Sequence, residues 1–223
     1  MKERLSRETI ALRAAREFED GDLVNIGVGI PDMCTLFVPE GRTVYLHTEN
    51  GGIGYGPILG EDEWEQADAD FIQAGGYFFR PLPGMSIVDH AMSFDLVRGG
   101  HLDKTVLGAL EVSEQGDLAN WSTGSIDDAG IGGGMDMPVG AKKVIVTMEH
   151  TTHDGRPRLV KRCRYPLTAP RAVDLIVTDL AVIEVTGDGL LLKEIAPGWT
   201  VAEVQALTEP KLMVAADLKE ITL

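Results

Sequence analysis

The 223-residue sequence predicts an α/β fold with an open, mostly parallel sheet that is covered by helices on both faces. Several short runs rich in β-branched residues and leucine are apolar along their whole length, which is typical of strands buried on both faces. Helical patterns lie between some of these runs, as the crossovers of a parallel sheet require. Because no internal repeat or long linker divides the chain, we expect a single domain over residues 1–223.

The N-terminal part predicts a helix followed by two strands. Ser6 can cap the helix, its apolar residues recur at helical spacing as far as Phe18, and Gly21 ends it. A strand is expected within 22–31 and a second one at 43–47, with a short helix, DMCTLFV, between them. Both strands end in glycine-rich turns, and ligands of parallel sheets bind beyond such strand ends.

The rest of the chain continues the alternation of strands and helices. Helices are expected at 86–97, with Ser86 as a plausible cap, and at 200–207. Five apolar runs predict further strands, at 105–112, 143–148, 174–178, 181–185 and 190–195.

Charge and cysteine content exclude several classes of function. The formal net charge of -15 argues against binding to nucleic acid or to an anionic membrane, since both would repel the protein. Cys34 and Cys163 lack the spacing of a disulfide framework or a zinc site, so we expect no metal. The first ten residues have no apolar signal core, and no stretch approaches the ~18 apolar residues of a membrane span. We therefore expect a cytoplasmic protein.

Glycine-rich stretches surround one conspicuous carboxylate. In LHTENGGIGYGP, Glu49 stands between a strand and a run of glycines, with no lysine or arginine beside it. From this local pattern alone, a solvated cap is the commoner role. NIGVGIP lacks the third glycine of a dinucleotide site, and ENGGIGYGP lacks the Gly-Lys-Ser/Thr of a P-loop. GIGGGMD indicates either a tight bend or a close approach of backbone to a ligand.

Six segments, taken together and in order, resemble the β subunit of the family I coenzyme A transferases, of the 3-oxoacid and 3-oxoadipate type. They are ENGGIGYGP, LPGMSIVDHAMSFDLVRGGHLD, LGALEVSEQGDLANW, GIGGGMD, AKKVIVTMEHT and CRYPLT. The resemblance runs from about residue 20 to about residue 208. It implies the CoA-transferase fold, which is sugar-phosphate-isomerase-like, and it implies CoA thioesters as substrates with no bound cofactor.

The resemblance also implies the site residues. The family's Ser-Glu-Asn-Gly segment holds its catalytic glutamate, and residues 48–51 of this chain read Thr-Glu-Asn-Gly, which assigns that role to Glu49. The family's Gly-Gly-Ala loop, which closes over the CoA thioester, corresponds to Gly132, Gly133 and Gly134. Glycine replaces alanine at position 134.

The chemistry explains why a carboxylate is used. A carboxylate that attacks an acyl-CoA forms a mixed anhydride and frees the CoA thiolate, which then attacks the Glu49 carbonyl to give an enzyme-bound thioester. Without a neighbouring cation, an ionised carboxylate keeps its nucleophilicity. The resemblance implies CoA transfer from a donor such as succinyl-CoA to a 3-oxo acid such as acetoacetate or 3-oxoadipate.

Further residues are candidates for shaping the site, namely Asn25, Asn50, Gly51, Ser86 and Asn120. His47 is expected to form a packed or hydrogen-bonded wall rather than to act as a base. The basic run RPRLVKRCR at 156–164 can meet the CoA phosphates or an acidic subunit, or it can be a strand edge blunted by charge. Neither Arg80 nor Arg98 can be placed in the pocket from the sequence.

The family's complete enzyme joins an α half and a β half, so the resemblance implies an α partner. Two other functions remain open. An acyl-CoA hydrolase would use the same glutamate and differ only in access of water. A non-catalytic ligand-binding module on this scaffold would need no covalent chemistry.

Overall fold

The structure, a computed structural model, describes residues 2–125, 127 and 129–222. The elements of its N-terminal half are, in order, α1 (Arg7–Ala15), β1 (Leu23–Ile26), α2 (Ile30–Met33), a 3₁₀-helix (Cys34–Phe37), β2 (Tyr45–His47), β3 (Gly52–Tyr55), a second 3₁₀-helix (Glu61–Gln66), β4 (Ser86–Ile87), α3 (His90–Arg98) and β5 (Lys104–Gly108). Those of the C-terminal half are β6 (Glu111–Ser113), β7 (Leu118–Ala119), α4 (Met137–Gly140), β8 (Lys143–Met148), β9 (Leu159–Val160), β10 (Leu175–Thr178), β11 (Ala181–Thr186), β12 (Gly189–Ile195), α5 (Val201–Ala206) and β13 (Met213–Glu220).

A ten-stranded sheet dominates the fold, in the order β13-β12-β11-β10-β8-β5-β1-β2-β3-β4. Its central strands β10, β8, β5, β1 and β2 are mutually parallel. Strands β3 and β4 extend it in antiparallel fashion on one side, as β11 and β12 do on the other. A smaller sheet has the order β7-β6-β9. The predicted α/β class is confirmed, with antiparallel strands added on both sides of the parallel centre.

Both faces of the large sheet are buried, which explains its continuously apolar strands. On β8, Val144 and Val146 join one hydrophobic core together with Phe94 of α3. Ile145, between them, joins the opposite core together with Ile10 of α1. Alternate residues of a strand point to opposite faces, so helices cover the sheet on both sides, as predicted.

Two predicted helices begin where the sequence places them. Ser6 caps α1, because its Oγ accepts a hydrogen bond from the Thr9 N–H at 3.2 Å. Thr200 Oγ1 accepts from the Glu203 N–H at 3.3 Å and caps α5. Helix α1 ends at Ala15, earlier than Gly21, although Phe18 is still buried in the core. No helix in the described part of the chain is long and apolar enough to span a bilayer.

The predicted helix start at Ser86 is wrong. Ser86 belongs to β4, which pairs with β3, and the Val88 N–H donates to Gly51 O at 3.0 Å, so this stretch is held extended. Helix α3 begins at His90, and Asp89 caps it by accepting from the Met92 N–H at 2.9 Å. Pairing with a neighbouring strand therefore overrides the local capping signal of Ser86.

The run 105–112 is also not one strand. Its first part is β5 of the large sheet, and its end is β6 of the small sheet. The chain leaves the large sheet at Leu110, whose N–H donates to Ala119 O at 2.9 Å. The single domain over 1–223 stays a prediction.

Helix α4 packs closely on α3 through Gly140. A Cβ atom at Gly140 would lie 2.2 Å from the carbonyl oxygen of Val97 and 2.7 Å from its Cγ1. Because α4 directly follows the glycine-rich segment, this contact also anchors the segment's C-terminal end.

We expect Gly140→Ala to lower the free energy of unfolding by about 1–3 kcal/mol, because the added methyl group overpacks the contact between α3 and α4. Gly187→Ala is the matched control, since a Cβ atom there meets nothing within 4 Å; its effect should stay within about 0.5 kcal/mol. Urea unfolding of both variants measures the difference. Equal stability of the two variants would show that the contact is not tight.

Candidate active site

Glu49 lies in the tight turn that joins β2 to β3. The Thr48 N–H donates to Gly52 O at 3.0 Å, and the Gly51 N–H donates to Thr48 O at 2.9 Å. Gly51 has a φ of 114°, and a Cβ atom there would lie 2.0 Å from the carbonyl oxygen of Val88. Only glycine fits this position. Gly51, a predicted site residue, thus shapes the turn that presents Glu49.

The predicted glycine loop lies directly against the Glu49 carboxylate. The Gly133 N–H donates to Glu49 Oε2 at 3.1 Å. A Cβ atom at Gly133 would lie 2.2 Å from the same oxygen, and one at Gly132 would lie 3.3 Å from Oε1. The fold therefore brings together the two motifs that the family resemblance pairs, and it aims a backbone N–H at the carboxylate.

Glu49 forms no ion pair with any residue that the structure describes. Arg98 lines a cavity next to Glu49, but its Nε donates to Asp136 Oδ1 at 2.8 Å. Arg80 is bound by Glu63 instead. The carboxylate is thus held by a backbone dipole rather than neutralised by a side-chain cation.

Two cavities meet at Glu49. The first, of about 350 Å³, lies beyond the carboxyl ends of β1 and β5, where the sequence predicts a ligand. Its walls include apolar side chains, among them Ile26, Leu107 and Met137, and the backbone of 130–134. The second, of about 540 Å³, opens towards α3 and is more polar. Glu49 and Gly132 line both cavities, so the carboxylate is accessible from two directions.

Asn25 and His47 form a hydrogen-bonded polar wall. Asn25 Nδ2 lies 3.1 Å from His47 Nδ1, and His47 Nε2 lies 2.9 Å from Ser93 Oγ. Asn25 Oδ1 accepts from Thr105 Oγ1 at 2.8 Å. Burial lowers the pKa of His47 to about 4, so its ring is neutral at physiological pH. The expectation that His47 is packed and hydrogen-bonded is confirmed, and Asn25 lines the first cavity.

Thr48 and Asn50 connect the Glu49 turn to segment 72–74. Thr48 Oγ1 donates to Asn50 Oδ1 at 2.9 Å and accepts from the Ala74 N–H at 2.9 Å. Asn50 Nδ2 donates to Ile72 O at 2.9 Å. Ala74 lines the first cavity, although no sequence pattern marks this segment as part of the site. The threonine hydroxyl therefore has a defined structural role.

Asn120 lines the first cavity and hydrogen-bonds to residues of two other segments of the chain. Its Nδ2 donates to Gly108 O at 3.1 Å, and its Oδ1 accepts from Thr168 Oγ1 at 2.6 Å. A Cβ atom at Gly134 would lie 2.7 Å from Ile131 O and 3.6 Å from Asn120 Oδ1. In this conformation glycine at position 134 therefore permits a turn that alanine would crowd.

Two other predicted features lie away from Glu49. Ser86 is exposed on β4 and lines neither cavity. In the basic run 156–164, Arg164 pairs with the buried Glu111, and Leu159–Val160 form the edge strand β9. None of its residues lines the two cavities at Glu49. The edge-strand interpretation of this run is therefore the one that the described contacts favour.

The cysteines offer no competing nucleophile. Burial raises the pKa of Cys34 far above its ordinary range. Burial, with the Glu111 and Asp117 carboxylates, raises the pKa of Cys163 to about 12. Both thiols are therefore protonated at neutral pH. Over residues 2–125, 127 and 129–222, no three His, Cys, Asp or Glu side chains are grouped so that they could hold a metal ion.

A sequence profile described as Coenzyme A transferase matches residues 7–207, a range that includes Glu49 and the glycine loop. The chain belongs to this family. Among CoA-transferases, it resembles the β subunits in particular. It is 45% identical over 213 residues to the β subunit of the acetate CoA-transferase of Escherichia coli K12, with 96% of each chain covered.

Two further CoA-transferase chains of the β type are similar along nearly their whole length. The one from the 3-oxoadipate CoA-transferase of Acinetobacter baylyi is 41% identical over 215 residues, which cover 95% of this chain and 97% of that one. The one from a probable succinyl-CoA:3-ketoacid coenzyme A transferase of Bacillus subtilis is 41% identical over 215 residues, which cover 96% and 97%.

The CoA-transferase fold is confirmed by a solved structure. The apoenzyme of the acyl-CoA transferase YdiF from Escherichia coli O157:H7 superposes with a TM-score of 0.74 at 23% identity. The superposition covers 98% of this chain and 43% of the YdiF chain.

We expect Gly133→Ala to reduce CoA transfer by on the order of 10²-fold, because the new methyl group displaces the Glu49 carboxylate from the backbone N–H. Gly130→Ala, in the same loop and on the same cavity wall, meets nothing within 4 Å and is the matched control. Steady-state transfer rates of the two variants measure the effect. A Gly133→Ala enzyme as active as Gly130→Ala would show that the contact does not matter.

Proposed function

We propose that this CoA-transferase chain carries CoA from an acyl-CoA donor to a carboxylic acid through a thioester on Glu49. The observation that supports this most strongly is the 3.1 Å hydrogen bond from the Gly133 N–H to the Glu49 carboxylate, at the meeting point of two cavities. A nucleophile needs an exposed, ionised and unpaired group, and this carboxylate forms no ion pair within the described chain.

In the first half-reaction, a Glu49 oxygen attacks the carbonyl carbon of the acyl-CoA. A C–O bond forms, the C–S bond breaks and the CoA thiolate departs. The product on the enzyme is a mixed anhydride of Glu49 and the acyl group. The thiolate then attacks the Glu49 carbonyl and displaces the donor acid. In this second attack negative charge develops on the Glu49 carbonyl oxygen, and a backbone N–H placed like that of Gly133 would stabilise it.

The second half-reaction is the reverse, with a different acid. The acceptor carboxylate attacks the glutamyl thioester, CoA leaves and returns to the acyl carbon of the acceptor, and Glu49 is restored. One thioester replaces another, so no external energy source is needed. The CoA must stay near Glu49 while one acid leaves and the other enters, and two cavities that meet at Glu49 can provide this separation.

The acids are a further part of the proposal. The similar chains are named for acetate, for 3-oxoadipate and for succinyl-CoA with a 3-ketoacid, at 41–45% identity. We propose succinyl-CoA as donor and a 3-oxo acid, acetoacetate or 3-oxoadipate, as acceptor. A panel of acetate, acetoacetate and 3-oxoadipate with succinyl-CoA identifies the acceptor by its relative kcat/KM.

An α subunit is proposed as the partner, since similar bacterial proteins are named as β subunits. Large apolar side chains are exposed close to the site: Val28 is 62% exposed, Met135 55% and Val139 76%. Val28 lines the first cavity, Met135 precedes α4, and Val139 lies within α4. An obligate partner would bury such a surface.

A cytoplasmic location stays a prediction, which the two free cysteines suit.

We expect Glu49→Gln in the assembled enzyme to lower transfer by at least ~10³-fold, because the amide cannot carry CoA. His47→Gln, which changes the neighbouring polar wall, should cost much less. With acyl-CoA and no acceptor, intact-protein mass spectrometry should show a CoA-minus-water increment. Peptide mass spectrometry should place this increment on the peptide containing Glu49, and Glu49→Gln should lack it.

Three outcomes of these measurements would contradict the proposal. If the adduct is absent while transfer proceeds, Glu49 is not the covalent carrier. If thioester is lost equally fast with and without acceptor, the chain is a hydrolase. Full transfer activity of the purified chain alone would exclude the need for an α subunit.

A further inference from the structure

An ion pair joins α3 to the end of the glycine-rich segment. Arg98 Nε donates to Asp136 Oδ1 at 2.8 Å, and the Arg98 guanidinium lies 5.3 Å from the ring centroid of Phe94. All three residues line the second cavity, the one of about 540 Å³ that also reaches Glu49 and Gly132. The chemistry proposed above assigns no role to Arg98 or Asp136.

The glycine-rich segment 130–134 needs anchors, because four of its five residues are glycines and lose much backbone entropy when fixed. At its N-terminal end, the Gly130 N–H donates to Trp121 O at 2.8 Å. At its C-terminal end, the Asp136 side chain is held by Arg98. Between these anchors, Gly133 contacts the nucleophile.

Asp136 transmits the position of Arg98 to Gly133 through the backbone. The Asp136 N–H donates to Gly133 O at 3.0 Å, and Asp136 O accepts from the Gly140 N–H at 2.8 Å. Asp136, which binds Arg98, therefore also fixes the carbonyl group of Gly133, the residue whose N–H contacts Glu49. A shift of Asp136 would move Gly133.

We propose that Arg98 is a positioning residue whose ion pair with Asp136 keeps Gly133 against Glu49, so that the glycine-rich segment limits the access of water to Glu49 while CoA is bound to it. The proposal rests on the proposed glutamyl-CoA thioester. Water that reaches this thioester forms a new C–O bond at the Glu49 carbonyl and breaks the C–S bond. It releases the CoA thiol and a proton and restores the carboxylate without transfer.

The expected size of the effect follows from the exposure of the pair. The Arg98 and Asp136 side chains are 61% and 25% exposed, so the ion pair alone should change the open population of the loop by roughly 2- to 5-fold. Loss of the contact between Arg98 and the Phe94 ring should raise the total change in this open population to roughly 3- to 30-fold.

The measured quantity is the ratio of hydrolysis to transfer. Release of free CoA thiol from acyl-CoA without acceptor reports hydrolysis, and formation of the second thioester with acceptor reports transfer. We expect Asp136→Asn to raise this ratio roughly 2- to 5-fold and Arg98→Met to raise it roughly 3- to 30-fold. Arg98→Lys, which keeps the charge, should restore most of the wild-type ratio.

Lys142→Met is the matched control. Lys142 pairs with Asp103 at 2.8 Å with similar side-chain exposures of 65% and 31%, and Lys142 lines neither cavity at Glu49. The ratio of hydrolysis to transfer in Lys142→Met should equal that of the wild type. Because Arg98 and Asp136 act as one unit, the rise of this ratio in the double variant Arg98→Met/Asp136→Asn should be smaller than the product of the two single rises.

The results separate this proposal from the previous one. An unchanged ratio in Arg98→Met and Asp136→Asn, or an equal rise in Lys142→Met, overturns the positioning role even if Glu49→Gln is inactive. Equal losses of hydrolysis and transfer in both variants overturn it too, because a merely structural role predicts that result. Glu49→Gln with full transfer would instead overturn the proposed function itself.

Discussion

The site depends on one hydrogen bond, from the Gly133 N–H to a carboxylate that no side-chain cation neutralises in the described chain. This contact explains the glycines around it, since a side chain at position 133 would occupy the place of Glu49 Oε2 and one at Gly51 would meet the Val88 carbonyl. It also joins residues 84 positions apart in sequence. A parallel sheet achieves this because the loops that follow its strands share one edge.

The register of the central strands holds the turn that carries Glu49 in place. Asn25 on β1 lies opposite His47 on β2 and Thr105 on β5, and its side chain hydrogen-bonds to both. Buried polar groups are costly unless they are paired, and a paired network specifies a single arrangement. Because burial keeps the His47 ring neutral, the wall next to Glu49 adds no charge that would bind the carboxylate and weaken its nucleophilicity. A rigid and uncharged support suits the covalent role that we propose for Glu49.

The sequence predicted the buried parallel strands well, since their apolar runs record burial on both faces. It did not predict β3, β4, β7, β9 or β13. Strand β13 is a largely exposed edge strand without a continuous apolar run. The other four have only two to four residues and depend on partners that are distant in sequence. Ser86 was misplaced for the same reason. At Glu49 the local pattern favours a solvated cap, and only the family resemblance indicated a nucleophile. The contacts of Thr48 with Ala74 and of Arg98 with Asp136 join segments that carry no shared pattern, so only the fold reveals them.

The central claim, that Glu49 exchanges an oxygen with the acid through a mixed anhydride, is tested most directly by isotope transfer. The assembled enzyme is turned over in unlabelled water with an acceptor acid that carries oxygen-18 in both carboxylate positions. The account predicts that label enters the Glu49 carboxylate, because the bridging oxygen of the anhydride stays on Glu49 when CoA takes the acyl group. Peptide mass spectrometry detects it. Transfer of CoA to the labelled acceptor while both Glu49 and the released donor acid stay unlabelled would contradict the account.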